Sequence, residues 1–245
     1  MANRPAFTAA ACTRPLHRLR LQAGSQCSYF KARHDYSSVA REKNCEECGK
    51  NDLQIIAKAK LPTEYGNFSI FAFCNNMDQK EHVAIVKGKV AGKNNVPLRI
   101  HSECLTGDVF HSLRCDCRAQ LDAALKKIAR LPRGVVIYMR QEGRGIGLTN
   151  KIRAYELQDK GYDTVQANLA LGFPSDMRNY DVAAAIIKQL KIRSIALITN
   201  NPDKIGKLLN YGVIVKKRIP HEFGKTKYNR AYLAVKKKKM MHLLS

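Results

Sequence analysis

The chain has 245 residues and a mass of 27.6 kDa, the size of one ordinary domain or of one domain with tails. Hydrophobic residues make up 45%, enough for a packed core. The longest apolar runs, such as Ile70 to Cys74 and Val135 to Met139, fall far short of the ~20 residues of a membrane-spanning helix. The formal charge of +23 favours anionic partners, but more than half of the excess lies in the ends. Residues 1–34 carry six Lys or Arg and no acid, and residues 216–239 carry ten against Glu222 alone. A duplex-binding domain puts its basic residues on the folded surface, so this distribution argues against nucleic acid as the partner of the core.

Residues 1–51 read as a basic extension. The stretch Thr13-Arg-Pro-Leu-His-Arg-Leu-Arg-Leu sits in acid-free sequence rich in Arg, Ser and Ala, which is the composition of a transit peptide. It predicts a mitochondrion or another organelle as destination, with the cytoplasm as alternative. From Ile55 the pattern changes to short strands alternating with amphipathic helices. Strands are predicted over Asn67–Cys74 and His82–Val90. In Leu98-Arg-Ile-His, Leu98 and Ile100 face one side while Arg99 and His101 face the other. Arg118–Arg130 reads as a helix, with Leu121, Ala124, Leu125 and Ile128 on one stripe, and Gly134–Met139 as a buried strand. Leu148–Lys160 is helical and stops at Gly161. Asp181 is the predicted N-cap of a helix over Val182–Leu190. Ser194–Ile198 is strand-like, Ile205–Asn210 helical, and Val213–Val215 the predicted last strand. Lys236–Lys239 reads as a solvated tail. The alternation predicts an α/β fold: a layered α/β/α domain with a mixed, partly parallel sheet.

Of the eight cysteines, the informative ones are Cys104, Cys115 and Cys117. Three thiolates hold zinc and leave a fourth tetrahedral position for water, and two of them stand at a helix start, where the dipole favours negative charge. Three buried structural thiols satisfy the same spacing. Cys45 and Cys48 form a second pair without an obvious partner pair. His101-x-Glu103 matches the start of a zinc deaminase signature, but that signature continues Pro-Cys-x-x-Cys, whereas this chain has Arg-Cys-Asp-Cys.

Polar residues gather where strands end. Arg99, His101 and Glu103 share a face beside Cys104 if that strand continues. Gln141-Glu-Gly-Arg-Gly-Ile-Gly lies between a strand and a helix, a setting in which backbone amides approach a phosphate; plain turn chemistry explains it equally. Ile198-Thr-Asn-Asn-Pro-Asp-Lys204 repeats the plan, and Asp176-Met-Arg178 sets an acid beside a cation before a helix. Such loops collect around one crevice in an open α/β sheet. Together with a zinc triad they point to a hydrolase that handles polyphosphates.

Several motifs together resemble one family. They are Arg-Ile-His-Ser-Glu-Cys-Leu-Thr-Gly-Asp (99–108), Arg-Cys-Asp-Cys (114–117), Arg-Gln-Glu-Gly-Arg-Gly-Ile-Gly-Leu (140–148), Lys-Ile-Arg-Ala-Tyr (151–155), Gly-Tyr-Asp-Thr (161–164), Ala-Asn with Leu-Gly-Phe (167–173), Leu-Ile-Thr-Asn-Asn-Pro (197–202) and Lys-Met-Met-His-Leu-Leu (239–244). The family is GTP cyclohydrolase II, which opens riboflavin synthesis. The resemblance implies zinc-dependent hydrolysis of GTP to 2,5-diamino-6-ribosylamino-4(3H)-pyrimidinone 5′-phosphate, formate and pyrophosphate. It implies Cys104, Cys115 and Cys117 as ligands of one Zn²⁺ per chain, and Mg²⁺ accompanying GTP. It implies GTP contacts at Arg99, Ile100, His101, Ser102, Glu103, Gln120, Glu142, Gly143, Arg144, Thr164, Thr199 and Lys204. Asp176 matches the family's proton acceptor, Arg178 its nucleophile toward the α-phosphorus, and Tyr155 a tyrosine of the ring chemistry. A homodimer is also implied.

The expected organisation is a 1–51 extension holding transit peptide and linker, a 52–221 catalytic domain and a 222–245 basic C-terminal segment. The extension is too short for the dihydroxybutanone-phosphate synthase domain fused to many relatives, so the stand-alone form is expected. Arg118 departs from the family's usual Gly after the third cysteine. It adds positive charge at a helix start near the zinc ligands, which is mildly unfavourable for the dipole but would favour phosphate, and so bears on rate rather than identity.

Overall fold

The computed structural model describes residues 53–244. The predicted transit peptide and the Cys45–Cys48 pair lie outside the described residues. β1 (Leu53–Thr63) and β2 (Gly66–Asn75) form an antiparallel hairpin. β3 (His82–Lys87) follows, then β4 (Val96–Ser102), α1 (Leu105–Asp108), α2 (Cys117–Ala129) and β5 (Gly134–Met139). A 3-10 turn over Glu142–Gly145 leads into α3 (Gly147–Asp159), α4 (Thr164–Ala170), α5 (Asp181–Gln189), β6 (Ile195–Ile198), α6 (Pro202–Asn210), β7 (Val215–Ile219) and α7 (Arg230–Lys239).

The strands form one sheet in the order β1-β2-β3-β5-β4-β6-β7. β1, β2, β3 and β5 pair antiparallel, whereas β5, β4, β6 and β7 run parallel. α5 lies on one face, where Val182, Ala183, Ile186 and Ile187 pack with Phe73, Ala84, Leu98 and Ile137. α2 covers the other, burying Ala124, Leu125 and Ile128 with Phe68, Val136 and Ile198. Each large apolar side chain so buried contributes about 1.5–3 kcal/mol. The expected three-layer α/β/α architecture is therefore present. β6 is buried at all four positions, as a parallel strand covered on both faces must be.

The alternation in β4 positions the site. Its parallel register sets Leu98 beside Val135 and Ile100 beside Ile137, while Arg99 pairs with Val136 and His101 with Tyr138. Leu98 and Ile100 thus enter the α5-side core, and period two turns Arg99 and His101 to the opposite face.

Several boundaries differ from those expected. β3 ends at Lys87, because the next residue, Gly88, turns at φ +63° with no room for a side chain: a Cβ there would lie 2.1 Å from the Pro132 carbonyl oxygen. The N-cap of α5 is Tyr180, and Asp181 is its first helical residue. Asn179 has taken over the local turn, its side-chain oxygen accepting from the amides of Tyr180 (2.7 Å) and Asp181 (3.3 Å). α6 starts at Pro202, earlier than its apolar pattern, because Asn201 caps it by accepting from the Asp203 amide. The last strand is Val215–Ile219 rather than Val213–Val215, since Gly212 (φ +76°) and Val213 still close the turn after α6. β7 is an edge strand, and its exposed lysines keep that edge from pairing further. Lys236–Lys239 is not a solvated tail. It is the last turn of α7, where cations suit the helix dipole, and Lys236 is buried.

Candidate active site

The three cysteines converge at the carboxyl end of β4. Cys104 follows that strand, and Cys115 and Cys117 flank the start of α2. Their sulfurs all lie within 4.8 Å of one another, with 3.7 Å between those of Cys104 and Cys115. Two thiolates on a tetrahedral zinc at about 2.3 Å stand about 3.8 Å apart, so the donor set fits the ion. Gly107 makes the convergence feasible. A Cβ there would lie 2.9 Å from the Cys115 sulfur and 3.1 Å from that of Cys104.

A buried carboxylate, Asp108, organises the strand end. It accepts from Tyr138 Oη (2.8 Å) and the Cys104 amide (3.1 Å), and it faces His101 Nε2 at 3.2 Å. On the other side Lys151 donates to Cys104 Sγ (3.2 Å) and to Glu142 (2.7 Å). The second oxygen of Glu142 accepts from the Leu105 amide (2.6 Å). The turn that presents Glu142 has Gly143 at φ +62° and Arg144 at φ +61°, the left-handed region that glycine adopts without strain.

The cleft continues from the thiols to a cationic wall formed by Arg99 on β4, Lys204 on α6 and Arg178 before α5. Arg99 donates to the Ile198 carbonyl (2.9 Å) and to Gln120 (2.5 Å). Lys204 is buried and donates to the Ile100 carbonyl (2.9 Å). Arg178 is bidentate on Asp176 (2.9 and 2.5 Å). Thr199 accepts from the Asn201 amide (3.1 Å) in a tight turn. Tyr155 closes the thiol end, its hydroxyl 3.2 Å from Thr106 and the Arg114 guanidinium 4.9 Å from its ring centre. Arg99 Nε, His101 Nδ1, Ser102 Oγ, Arg144 Nη2 and His221 Nδ1 are buried without a hydrogen-bond partner among the described residues and belong to cleft-lining residues. Orphaned groups of this kind mark where a polar ligand would bond.

The electrostatics divide the cleft. Hydrogen bonds from the Cys115 and Cys117 thiols, with Lys151 beside it, hold the Cys104 thiol far below its ordinary range. Donation to Cys104 pushes Cys115 up to about 11 and Cys117 well above its usual value. One thiolate thus accepts hydrogen bonds from two neighbouring thiols, and a divalent cation bound there would displace both of their protons. At the other end burial lowers Arg99 to about 10 and takes Lys204 well below the usual lysine range, with Arg99 and Arg178 adding repulsion. Burial works against ionisation of Asp176, but the Arg178 hydrogen bonds prevail and hold it below the ordinary carboxylate range. A cleft with several crowded cations is built for a polyanion.

The model of the GTP cyclohydrolase II family matches residues 54–220. The chain belongs to the GTP cyclohydrolase II family. It is 54% identical over 191 residues to a GTP cyclohydrolase-2 of Picrophilus torridus, covering 78% of this chain and 99% of that one. It is 50% identical over 193 residues to a GTP cyclohydrolase-2 of Aeromonas hydrophila, covering 79% and 98%. A riboflavin biosynthesis protein RibBA of Endomicrobium trichonymphae is 51% identical over 217 residues; the match covers 88% of this chain but 54% of that longer relative.

Most GTP cyclohydrolase II positions expected from the sequence line the one cleft: Arg99, His101, Ser102, Glu103, Gln120, Glu142, Gly143, Arg144, Thr164, Thr199 and Lys204, with Tyr155, Arg178 and the three cysteines. Two differ. The Ile100 side chain is in the α5-side core, and what it offers this region is the carbonyl that anchors Lys204. Asp176 does not line the cleft and works from behind Arg178. Arg118 does not enter the cleft, contrary to its expected pull on phosphate. It is held by Asp122 (2.9 Å) and by the Asp108 carbonyl (2.7 Å). Sequence reasoning gave no role to Asp108, Lys151, His221 or the α7 residues. His221 could have been found as the polar residue that follows the last strand, by the rule that located Thr199.

Proposed function

We propose that this GTP cyclohydrolase II hydrolyses GTP to the diaminopyrimidinone ribosyl phosphate, formate and pyrophosphate, with one Zn²⁺ at Cys104, Cys115 and Cys117 and Mg²⁺ accompanying the triphosphate. The observation that carries this reading is the joining of a zinc-spaced thiol triad and a buried cationic wall in one cleft. Zinc in the thiol triad supplies the Lewis acidity that makes water a nucleophile near neutral pH, as opening a purine imidazole ring requires.

The chain's own groups do the rest. Lys151 and Glu142 hold the Cys104 sulfur and the Leu105 amide in place. Tyr155 faces the thiol end with a neutral hydroxyl, its pKa pushed up to about 12 by burial, so it is able to donate a hydrogen bond to the opening ring. At the far end Arg178, Lys204 and Arg99 stabilise charge developing on the phosphoryl group. As the family's nucleophile, Arg178 has to lose a proton, and Asp176, 2.9 Å from its Nε, is the nearest acceptor; the ion pair holds Arg178 above its ordinary range and Asp176 below its own, so the resting pair opposes that transfer.

Two further features belong to this proposal. Exposed Val109, Phe110 and Leu113 beside the thiol triad support a homodimer, which sedimentation measures. The acid-free, Arg-rich first 34 residues support an organellar address, which a fluorescent fusion of residues 1–51 tests. The deciding experiment for the reaction is release of formate and pyrophosphate from GTP by the zinc-loaded chain with Mg²⁺. Equal amounts of both are expected. Release of neither by folded, zinc-loaded protein overturns the reading.

A further inference from the structure

We infer that the C-terminal segment, residues 230–244, is part of the substrate site, and that Lys236 is a positioning residue acting on Arg99 through Asp116 and Gln120. The inference rests on GTP as substrate. The segment lies beyond the residues that match the family model, 54–220. Even so, Tyr232, Lys236, Met240, His242 and Leu244 line the same cleft as the thiol triad and Arg178.

Several ties fix the segment there. Lys239 pairs with Asp163 at the start of α4 (2.5 Å). The Leu243 amide donates to the Asn200 carbonyl (2.8 Å), next to Thr199. The Arg144 guanidinium lies 5.8 Å from the Tyr232 ring centre. The central tie is Lys236, which donates to Asp116 Oδ1 at 2.6 Å with both side chains buried.

Asp116 is the residue between Cys115 and Cys117, and its two oxygens have different tasks. One accepts from Lys236 and the other from the Gln120 amide nitrogen. A side-chain amide that gives its N–H₂ to a carboxylate must turn its oxygen the other way. In Gln120 that oxygen accepts from Arg99 Nη2 (2.5 Å). The order Lys236, Asp116, Gln120, Arg99 is therefore a relay of hydrogen bonds with fixed polarity. It ends on an arginine whose Nε is buried without a hydrogen-bond partner among the described residues. Removing Lys236 leaves a buried carboxylate short of its cation, a costly state, and the nearest compensation is the Arg99 charge. Arg99 would be drawn toward Asp116 and away from the substrate.

The test is a double-mutant cycle in the full-length, zinc-loaded chain. Its readouts are zinc content, kcat and KM for GTP, and affinity for a GTP analogue with a methylene bridge between the α- and β-phosphorus atoms. K236M is expected to keep one zinc per chain and bind the analogue at least tenfold more weakly, with K236R closer to wild type. In the D116N background, adding K236M is expected to cause no further loss, because the relay is already cut. K216M, which removes an exposed lysine of β7 outside the cleft, is expected to bind within twofold of wild type. Wild-type affinity in K236M, loss of zinc in step with loss of binding, or a further loss in K236M/D116N relative to D116N each overturns the inference. Should K236M fail to fold, the charge-balanced double variant against D116N decides alone. A wild-type chain that does not bind the analogue overturns the substrate reading, and this inference with it.

Discussion

The two halves of the sheet are connected differently and used differently. β1, β2 and β3 pair antiparallel, and none of the cleft residues lies on them. β4, β5, β6 and β7 run parallel, and the residues just beyond their carboxyl ends form the site: Glu103 and Cys104, Gln141 to Arg144, Thr199 to Asn201, and His221. Antiparallel strands joined by tight turns alternate which edge their ends face. Parallel strands bring every carboxyl end to one edge, so their loops collect there. Here connectivity, rather than composition, separates the half that does chemistry from the half that supports it.

The largest effect expected from breaking that division is at the triad. Cys115→Ser should abolish both zinc retention and formate release, because the site loses a ligand and no fourth cysteine joins the cluster among the described residues; metal analysis and formate assay check this. Next is Arg178→Ala, expected to lower pyrophosphate release at least hundredfold while zinc content stays at wild type, a separation of the two ends of the cleft. Gly107→Ala should weaken zinc about tenfold, an effect on the scale of disturbed groups around metal ligands, since its Cβ would press on two ligand sulfurs. Chelator competition measures it.

The antiparallel half should answer in stability alone. Phe73 in β2 is fully buried in the α5-side core, and Phe73→Ala should cost about 3–5 kcal/mol in urea unfolding while KM of the folded fraction holds. A change in KM would show that the halves are coupled. Arg118→Gly sharpens the boundary with the smallest expected effect. It removes a surface salt bridge and a good helix former, about 1 kcal/mol, and should leave KM for GTP within about twofold because the side chain faces Asp122.

Acid should act through the cleft-lining histidines. Burial holds His221 and His242 near 3, against the ordinary 6.5. Between about pH 6.5 and 3 the unfolded chain binds protons on these rings that the folded chain does not. Stability is therefore full above about 6.5 and falls as pH drops through that window. Urea midpoints at pH 7 and 4.5 should differ less for His221→Leu than for wild type; an unchanged difference would remove His221 from this account.

Much of the site was legible in the sequence because its residues sit in short, local patterns. The alternation in Leu98-Arg-Ile-His assigned faces correctly, since strand period two depends only on backbone geometry. The spacing of Cys104, Cys115 and Cys117 allowed a metal triad, and the strand–turn–helix pattern around Thr199 located a cleft wall. Other roles were hidden. Nothing local marks Asp108 as the acceptor that serves Tyr138 and the Cys104 amide, because its partners lie as far as 30 residues away. Lys236 read as one of four solvated lysines, since a run of like charges carries no sign of which member is buried.

The sequence by itself determined the layered α/β architecture, the candidate thiol triad and the family, for these depend on periodicity, residue chemistry and motif order. Tertiary structure alone decided which way polar side chains turn and what they oppose. It set Arg99 on the Ile198 carbonyl, brought Lys204 to the Ile100 carbonyl across 104 residues, and brought Lys236 to Asp116 across 120 residues of chain. The physical reason is that a buried charge must find its counter-charge wherever the fold supplies one, and that partner is fixed by packing between distant segments.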